Sequence, residues 1–246
     1  MVQTAVRFAL VWALFACVSP LVCLVLIFLL PARVLRIRWL NFCGAWLAPL
    51  VLWLLGVRVQ RGQASDDMYS GPAVYVANHS SALDTILVPW YGLLSATFVA
   101  KKEAKYIPIL GQLLWLSGHV FIDRSSPIRA VHSLDELAAF AKQNQLSIWI
   151  MPEGTRSKDG RLGRFKSGFA HLAMRTGFPV VPVAIHGAST VWPNGTWTLR
   201  RGEVLIRTLP WISTDNWTDD SVREQVKRVR QLIETDLAET PDPSYF

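Results

Sequence analysis

Between Phe8 and Leu30 the chain carries no charged residue, an apolar stretch of about 23 residues where roughly 20 suffice for a helix to cross a bilayer. Pro20 interrupts it. A mid-helix proline removes a hydrogen bond and kinks the axis, so the stretch reads either as a span or as a re-entrant hairpin. A second uncharged stretch, Trp39 to Val57, lies between Arg33, Arg36 and Arg38 on one side and Arg58 and Arg61 on the other. Basic flanks favour the cytoplasmic side, so arginines at both ends predict a segment that dips into the membrane or lies along it. Trp39, Trp46 and Trp53 recur every seven residues, near one helical face, and suit the headgroup level. Residues 1–60 are thus expected to form a hydrophobic two-helix membrane anchor.

After Gln60 the pattern changes to short apolar runs alternating with helix-length segments. Ala73–Ala77, Thr97–Lys101, His119–Ile122, Leu146–Met151 and Pro179–Ile185 have the length and mostly the β-branched or aromatic content of strands. Ala82–Leu93, Ile109–Ser117, Ile128–Gln143 and Phe165–Thr176 read as helices. Such alternation predicts an α/β domain over 61–246 with a mainly parallel sheet flanked by helices. Two more strands are expected at Trp197–Leu199 and Glu203–Thr208. A final amphipathic helix is expected from Thr218 to Glu239, its stripe of Val222, Val226, Val229, Ile233 and Leu237 packing on the sheet while Arg223, Lys227, Arg228 and Arg230 occupy other faces.

Composition settles which partner the charge serves. Hydrophobic residues make up 51% of the chain and the net charge is +7, which suits nucleic acid or anionic lipid alike. The apolar excess lies at the N-terminus, and the basic residues lack interleaved stacking aromatics, so a lipid bilayer and not nucleic acid is expected. No A-x-A site follows the first apolar run, so a cleaved signal peptide is not expected. Cys17, Cys23 and Cys43 fall in the apolar part without metal-ligand spacing; neither a disulfide nor a metal site is expected.

Ligands of parallel sheets gather at the carboxyl ends of strands. There the sequence places His79, Asp123 with Arg124, and Glu153. In VANHSSALD, a helix starting near Ser80 returns Asp84 towards His79 after about one turn. One serine would cap that helix, so neither His79 nor Asp84 is needed for local structure. Paired, they make a general base, because the carboxylate fixes the imidazole tautomer. In MPEGTRS, Glu153 and Gly154 make a turn, and Arg156 offers a planar fork of donors that suits a phosphate. Five cations lie between Arg156 and Lys166, against the single acid Asp159.

Taken together these residues resemble the glycerolipid acyltransferase family, in particular the 1-acyl-sn-glycerol-3-phosphate acyltransferases. From Gly71 to Ile185, NHSSALD is similar to the family's NHxxxxD block, VFIDR to its second block, PEGTRS to its third and VPVAI to its fourth, in the same order. Met151 stands where the family often has Phe. The resemblance implies transfer of an acyl chain from acyl-CoA or acyl carrier protein to the sn-2 hydroxyl of lysophosphatidic acid, with no resident cofactor. It implies His79 and Asp84 as the catalytic pair, and Lys101, Arg124, Glu153, Gly154, Thr155 and Arg156 around the substrate. It further implies an inner-membrane location with the catalytic domain facing the cytoplasm. The motifs encode acceptor choice poorly, which leaves another lysolipid such as lyso-ornithine lipid open. A silent lipid-binding module would keep the arginines without needing the base.

Overall fold

The computed structural model describes residues 2–63, 69–123, 126–157 and 159–240. The two apolar stretches are helices α1 (Val2–Phe28) and α2 (Arg33–Leu55), both long and apolar enough to cross a membrane by length and composition. They pack together as a hairpin: Arg7 near the start of α1 donates to the Leu55 carbonyl at 3.2 Å, while Val22 and Leu26 near its end are buried in a cluster with Trp39 and Leu40 of α2.

A seven-stranded sheet follows: β1 (Val57–Gln63), β2 (Val74–Ala77), β3 (Ala96–Lys101), β4 (Val120–Ile122), β5 (Ser147–Ile150), β6 (Val180–His186) and β7 (Gly202–Thr208). Their order is β1-β7-β6-β2-β5-β3-β4. From β6 through β4 all neighbours are parallel; β7 runs antiparallel to β6 and carries β1 parallel on its outer side. The central strands β2, β5 and β6 are buried along their whole length, as expected for strands covered on both faces. The covering helices are α3 (Asp84–Tyr91), α4 (Leu110–Ser117), α5 (Pro127–Asn144), α6 (Gly168–Thr176), the short α7 (Ala188–Val191) and α8 (Val222–Glu239), with a 3-10 turn at Lys102–Tyr106.

Four expectations need correction. The sheet begins at Val57, ahead of the boundary expected at 61, because Val57 and Val59 alternate with Arg58 and Gln60 along β1. Arg58 and Arg61 are therefore strand residues. Arg58 sits 3.5 Å from Glu203, and Arg61 donates to the Trp90 and Tyr91 carbonyls at 3.0 and 2.7 Å. Trp197–Leu199 forms no strand, since β6 and β1 already occupy both edges of β7. The tryptophans do not share one surface: Trp46 and Trp53 are each 72% exposed, whereas Trp39 packs into the hairpin and stacks on Phe42 with ring centroids 5.9 Å apart.

Arg33 and Arg36 are likewise docked on protein. Arg33 donates to the Gly118 carbonyl at 3.0 and 2.8 Å, and Arg36 to the Leu116 carbonyl, satisfying carbonyls at the end of α4. The hairpin also shares its core with the sheet, Val11, Val51, Leu52 and Leu55 lying in one buried cluster with Val183 and Ile185. The expected stripe of α8 is borne out: Val222, Val229 and Ile233 are buried with Val180 and Ala184 of β6.

Candidate active site

The adjacency of β2 and β5 makes the site. His79 follows β2 and Glu153 follows β5, so both leave the sheet at its carboxyl edge. Asn78 extends the pairing past the end of β2: its side-chain amide donates to the Ile185 carbonyl at 3.0 Å and its oxygen accepts from the Ile185 N–H at 2.8 Å. Asn78 thus replaces a backbone peptide in the ladder, fixing where His79 emerges. Nothing in the VANHSSALD stretch signals this role of Asn78.

His79 Nδ1 lies 2.7 Å from Asp84 Oδ2. A carboxylate only accepts, so Nδ1 carries the proton and Nε2 is left as the acceptor. Asp84 is wholly buried, while the His79 side chain retains 21% exposure. Asp84 does more local work than expected, because Oδ2 also accepts the Ser80 and Ser81 N–H groups, each at 3.0 Å. The capping residue of α3, Leu83, supplies no side-chain cap; the Ser81 hydroxyl accepts the Leu83 N–H at 3.2 Å and donates to the Trp192 carbonyl at 2.7 Å. Asp84 Oδ1 is buried without a hydrogen-bond partner among the described residues, so the carboxylate is most fully compensated when the neighbouring ring becomes an imidazolium.

Glu153 holds the other side of the histidine loop. Its Oε1 accepts the His79 N–H at 2.7 Å and its Oε2 the Gly163 N–H at 2.9 Å. Burial pushes its carboxyl above the usual range, and these two N–H groups pull it back. Both oxygens are committed to backbone, so Glu153 shapes the pocket by positioning two loops. The His79 carbonyl in turn accepts from the Ser157 N–H at 2.9 Å. Two glycines permit this geometry: Gly154 has φ +75°, which side chains other than glycine rarely adopt, and a Cβ on Gly163 would lie 2.7 Å from Glu153 Oε2. Beyond Gly163, Arg230 of α8 donates to the Gly163 and Leu162 carbonyls at 3.0 and 3.1 Å. This tie across 67 positions had no signal in the sequence beyond a polar helix face.

A cleft of about 1860 Å³ opens on His79 and Asp84. Val18 and Val22 of α1, Leu47 and Val51 of α2, and Leu113 of α4 give it apolar lining, and Lys101, Gly154, Thr155 and Arg156 add polar lining. The expected convergence of three strand ends holds for two. Asp123 stands at the β4 edge of the sheet, paired with Lys102 and Arg129 at 3.2 Å each, and does not line the cleft. Arg124 and Lys158 lie outside the described residues.

Of the five histidines, His79 alone lines the cleft. His186 also meets a carboxylate, with Nε2 2.8 Å from Asp236, but both are buried and tie β6 to α8. His119 accepts the Phe98 N–H at 3.1 Å, and burial pushes it down to about 3, holding it neutral. His132 and His171 sit at the surface opposite Glu136 and Asp219.

Residues 57–186 match the family profile described as Acyltransferase. The chain belongs to the acyltransferase family. It is 38% identical over 220 residues to a 1-acyl-sn-glycerol-3-phosphate acyltransferase of Limnanthes alba, covering 89% of this chain and 78% of that one. It is 34% identical over 186 residues to the enzyme of the same name from Escherichia coli K12, covering 76% and 75% respectively. In fold it is similar to the crystal structure of a 1-acyl-sn-glycerophosphate acyltransferase from Thermotoga maritima, with a TM-score of 0.79 at 24% identity over 97% of this chain and 94% of that one. The α/β acyltransferase architecture expected from the sequence is thereby established, and the dyad at the end of β2 sits inside the family's matched region.

Proposed function

We propose that this acyltransferase moves a fatty acyl chain from the thioester of acyl-CoA or acyl carrier protein to the sn-2 hydroxyl of lysophosphatidic acid, giving phosphatidic acid. The observation that carries the reading is the 2.7 Å contact between His79 and the buried Asp84, opening on a cleft with apolar walls and Arg156 in its lining. His79 Nε2 takes the hydroxyl proton as the oxygen bonds to the thioester carbonyl carbon, and Asp84 stabilises the imidazolium. Collapse of the tetrahedral intermediate breaks the C–S bond, and the imidazolium returns its proton to the leaving thiolate. The step requires neither an acyl-enzyme nor a resident cofactor. The names of the plant and bacterial relatives support lysophosphatidic acid as acceptor.

The acceptor's phosphate is assigned to Arg156, aided by Lys101. Arg156→Lys keeps the charge and loses the planar fork, so the KM for lysophosphatidic acid rises about tenfold while that for the acyl donor stays near native. Separate saturation curves for acceptor and donor measure this. If lysophosphatidic acid saturates both proteins alike, or is a substrate of neither, the clamp assignment fails and a lyso-aminolipid acceptor moves ahead.

The same proposal places the domain on the cytoplasmic side of the inner membrane, where acyl-CoA and acyl carrier protein reside, with the hairpin seated in one leaflet. Both ends of α2 rest on the domain, through Arg33 and Arg36 at its start and β1 after its end. The start of α1 rests there too, with Phe8 and Trp192 ring centroids 5.0 Å apart. Exposed Phe28, Trp46 and Trp53 give the hairpin a lipid-facing surface. With Cys17, Cys23 and Cys43 replaced by serine, a cysteine introduced by Thr235→Cys on exposed α8 should react with an impermeant maleimide only after cell lysis. Labelling in intact cells overturns the orientation.

A further inference from the structure

The cleft holds more positive charge than one acceptor phosphate uses. Among the described residues its wall carries eight lysine and arginine side chains against four carboxylates. Asp84 and Glu153 are engaged with His79 and backbone N–H groups, and Asp159 accepts from the Ser157 hydroxyl and the Arg161 N–H, each at 3.1 Å. Three of the cations, Arg223, Lys227 and Arg230, stand on α8 at i, i+4 and i+7, which is one helical stripe. Arg230 fixes where that stripe faces, because it is bonded to the carbonyls of Leu162 and Gly163. The stripe therefore borders the loop that carries Arg164 and Lys166. Arg230 is further neutralised by Glu234 at 2.7 and 2.9 Å. Among the described residues Arg223 and Lys227 form no such pair, and Glu224, the acid next to Arg223, is not in the cleft wall.

Resting on the acyltransferase reading, we infer that Arg223 and Lys227 of α8, with Arg164 and Lys166 of the adjoining loop, form a second anion subsite that holds the phosphate of the donor's phosphopantetheine arm. Acyl-CoA and acyl carrier protein share that arm: a thioester at one end and a phosphate at the other. A cleft that joins the two substrates at His79 must accept an anion from each, and Arg156 with Lys101 accounts for the acceptor. Arg164, Lys166, Arg223 and Lys227 provide the second site, and the aliphatic stems of Lys227 and Arg223, with Val226 also in the wall, offer an apolar path for the arm.

The test compares native enzyme with the Arg223→Ala/Lys227→Ala variant on three donors carrying the same acyl chain: acyl-CoA, acylated carrier protein, and an N-acetylcysteamine thioester that has no phosphate. The KM for both phosphate-bearing donors should rise about tenfold, as expected for two partly exposed ion contacts. The KM for the neutral thioester and for lysophosphatidic acid should not move. The charge-retaining Arg223→Lys/Lys227→Arg variant should recover most of the loss, and Arg228→Ala, outside the cleft wall, should resemble native enzyme. Equal KM on all donors, or an equal loss on all three that the charge-retaining variant does not repair, overturns the subsite. A loss confined to carrier protein assigns the stripe to the carrier's surface and overturns the phosphate assignment. Failure of the native enzyme to acylate lysophosphatidic acid from the neutral thioester as well as from both phosphate donors is a separate result, which tells against the acceptor reading.

Discussion

The His79→Ala enzyme transfers acyl chains roughly 10²- to 10⁴-fold more slowly than the native protein, the range spanned by a lost general base, while its thermal melt stays close to native. The two halves of that expectation come from different atoms of one residue. The side chain supplies Nδ1 to Asp84 and leaves Nε2 for the hydroxyl. The backbone supplies the N–H to Glu153 and the carbonyl to Ser157. Alanine keeps both backbone contacts, so the loops stay tied while the base is gone. Initial rates with a labelled donor measure the loss, and a circular-dichroism melt checks the fold. Near-native turnover by this variant would sink the mechanism.

Asp84→Asn should cost about as much, close to 10⁴-fold, the size of loss seen when an orienting aspartate in a Ser-His-Asp triad becomes asparagine. One oxygen of Asp84 serves three donors: His79 Nδ1 and the Ser80 and Ser81 N–H groups. An amide retains one oxygen. If that oxygen takes the place of Oδ2 it keeps all three contacts, and the NH₂ takes the buried Oδ1 position without an acceptor. If the amide turns over, the NH₂ faces Nδ1 and the two backbone N–H groups, leaving those donors buried and unpaired at about 1–3 kcal/mol each and favouring the other ring tautomer, which puts the proton on Nε2. Either way the imidazolium loses its compensating charge. A melt lowered in step with a rate loss of less than about tenfold would reduce Asp84 to a turn-capping role.

Much of the fold was legible because the central strands are short and apolar and lead to polar residues, Val74–Ala77 to Asn78 and Ser147–Ile150 to Glu153. What the pattern hid has physical causes. β1 was absorbed into the preceding apolar run because only Gly56 separates it from α2, and Arg58 and Arg61 read as membrane flanks. Whether a run such as Trp197–Leu199 becomes a strand depends on a free sheet edge, which no local pattern reports. At the site, His79, Asp84 and Arg156 stood out because their residue types carry chemistry at a recognisable spacing. The second task of Asp84 did not, nor did the clamp of Glu153, since its partners are the backbone N–H groups of His79 and Gly163, and a backbone group leaves no mark in a sequence. The face that Arg223 and Lys227 present was also hidden. A polar helix stripe looks solvated until a contact such as that of Arg230 shows what it borders.

The role proposed for the His79–Asp84 pair is to activate a lysolipid hydroxyl in a cleft suited to a phosphate-bearing acceptor. Its most direct measurement is to give the purified protein a labelled acyl thioester and a panel of lysolipids, including lysophosphatidic acid and lyso-ornithine lipid, and to identify the labelled products for native and His79→Ala enzymes. Labelled phosphatidic acid is the expected main product of the native enzyme, with almost none from the variant. Label appearing chiefly in another lipid, or equally in both proteins, would contradict it.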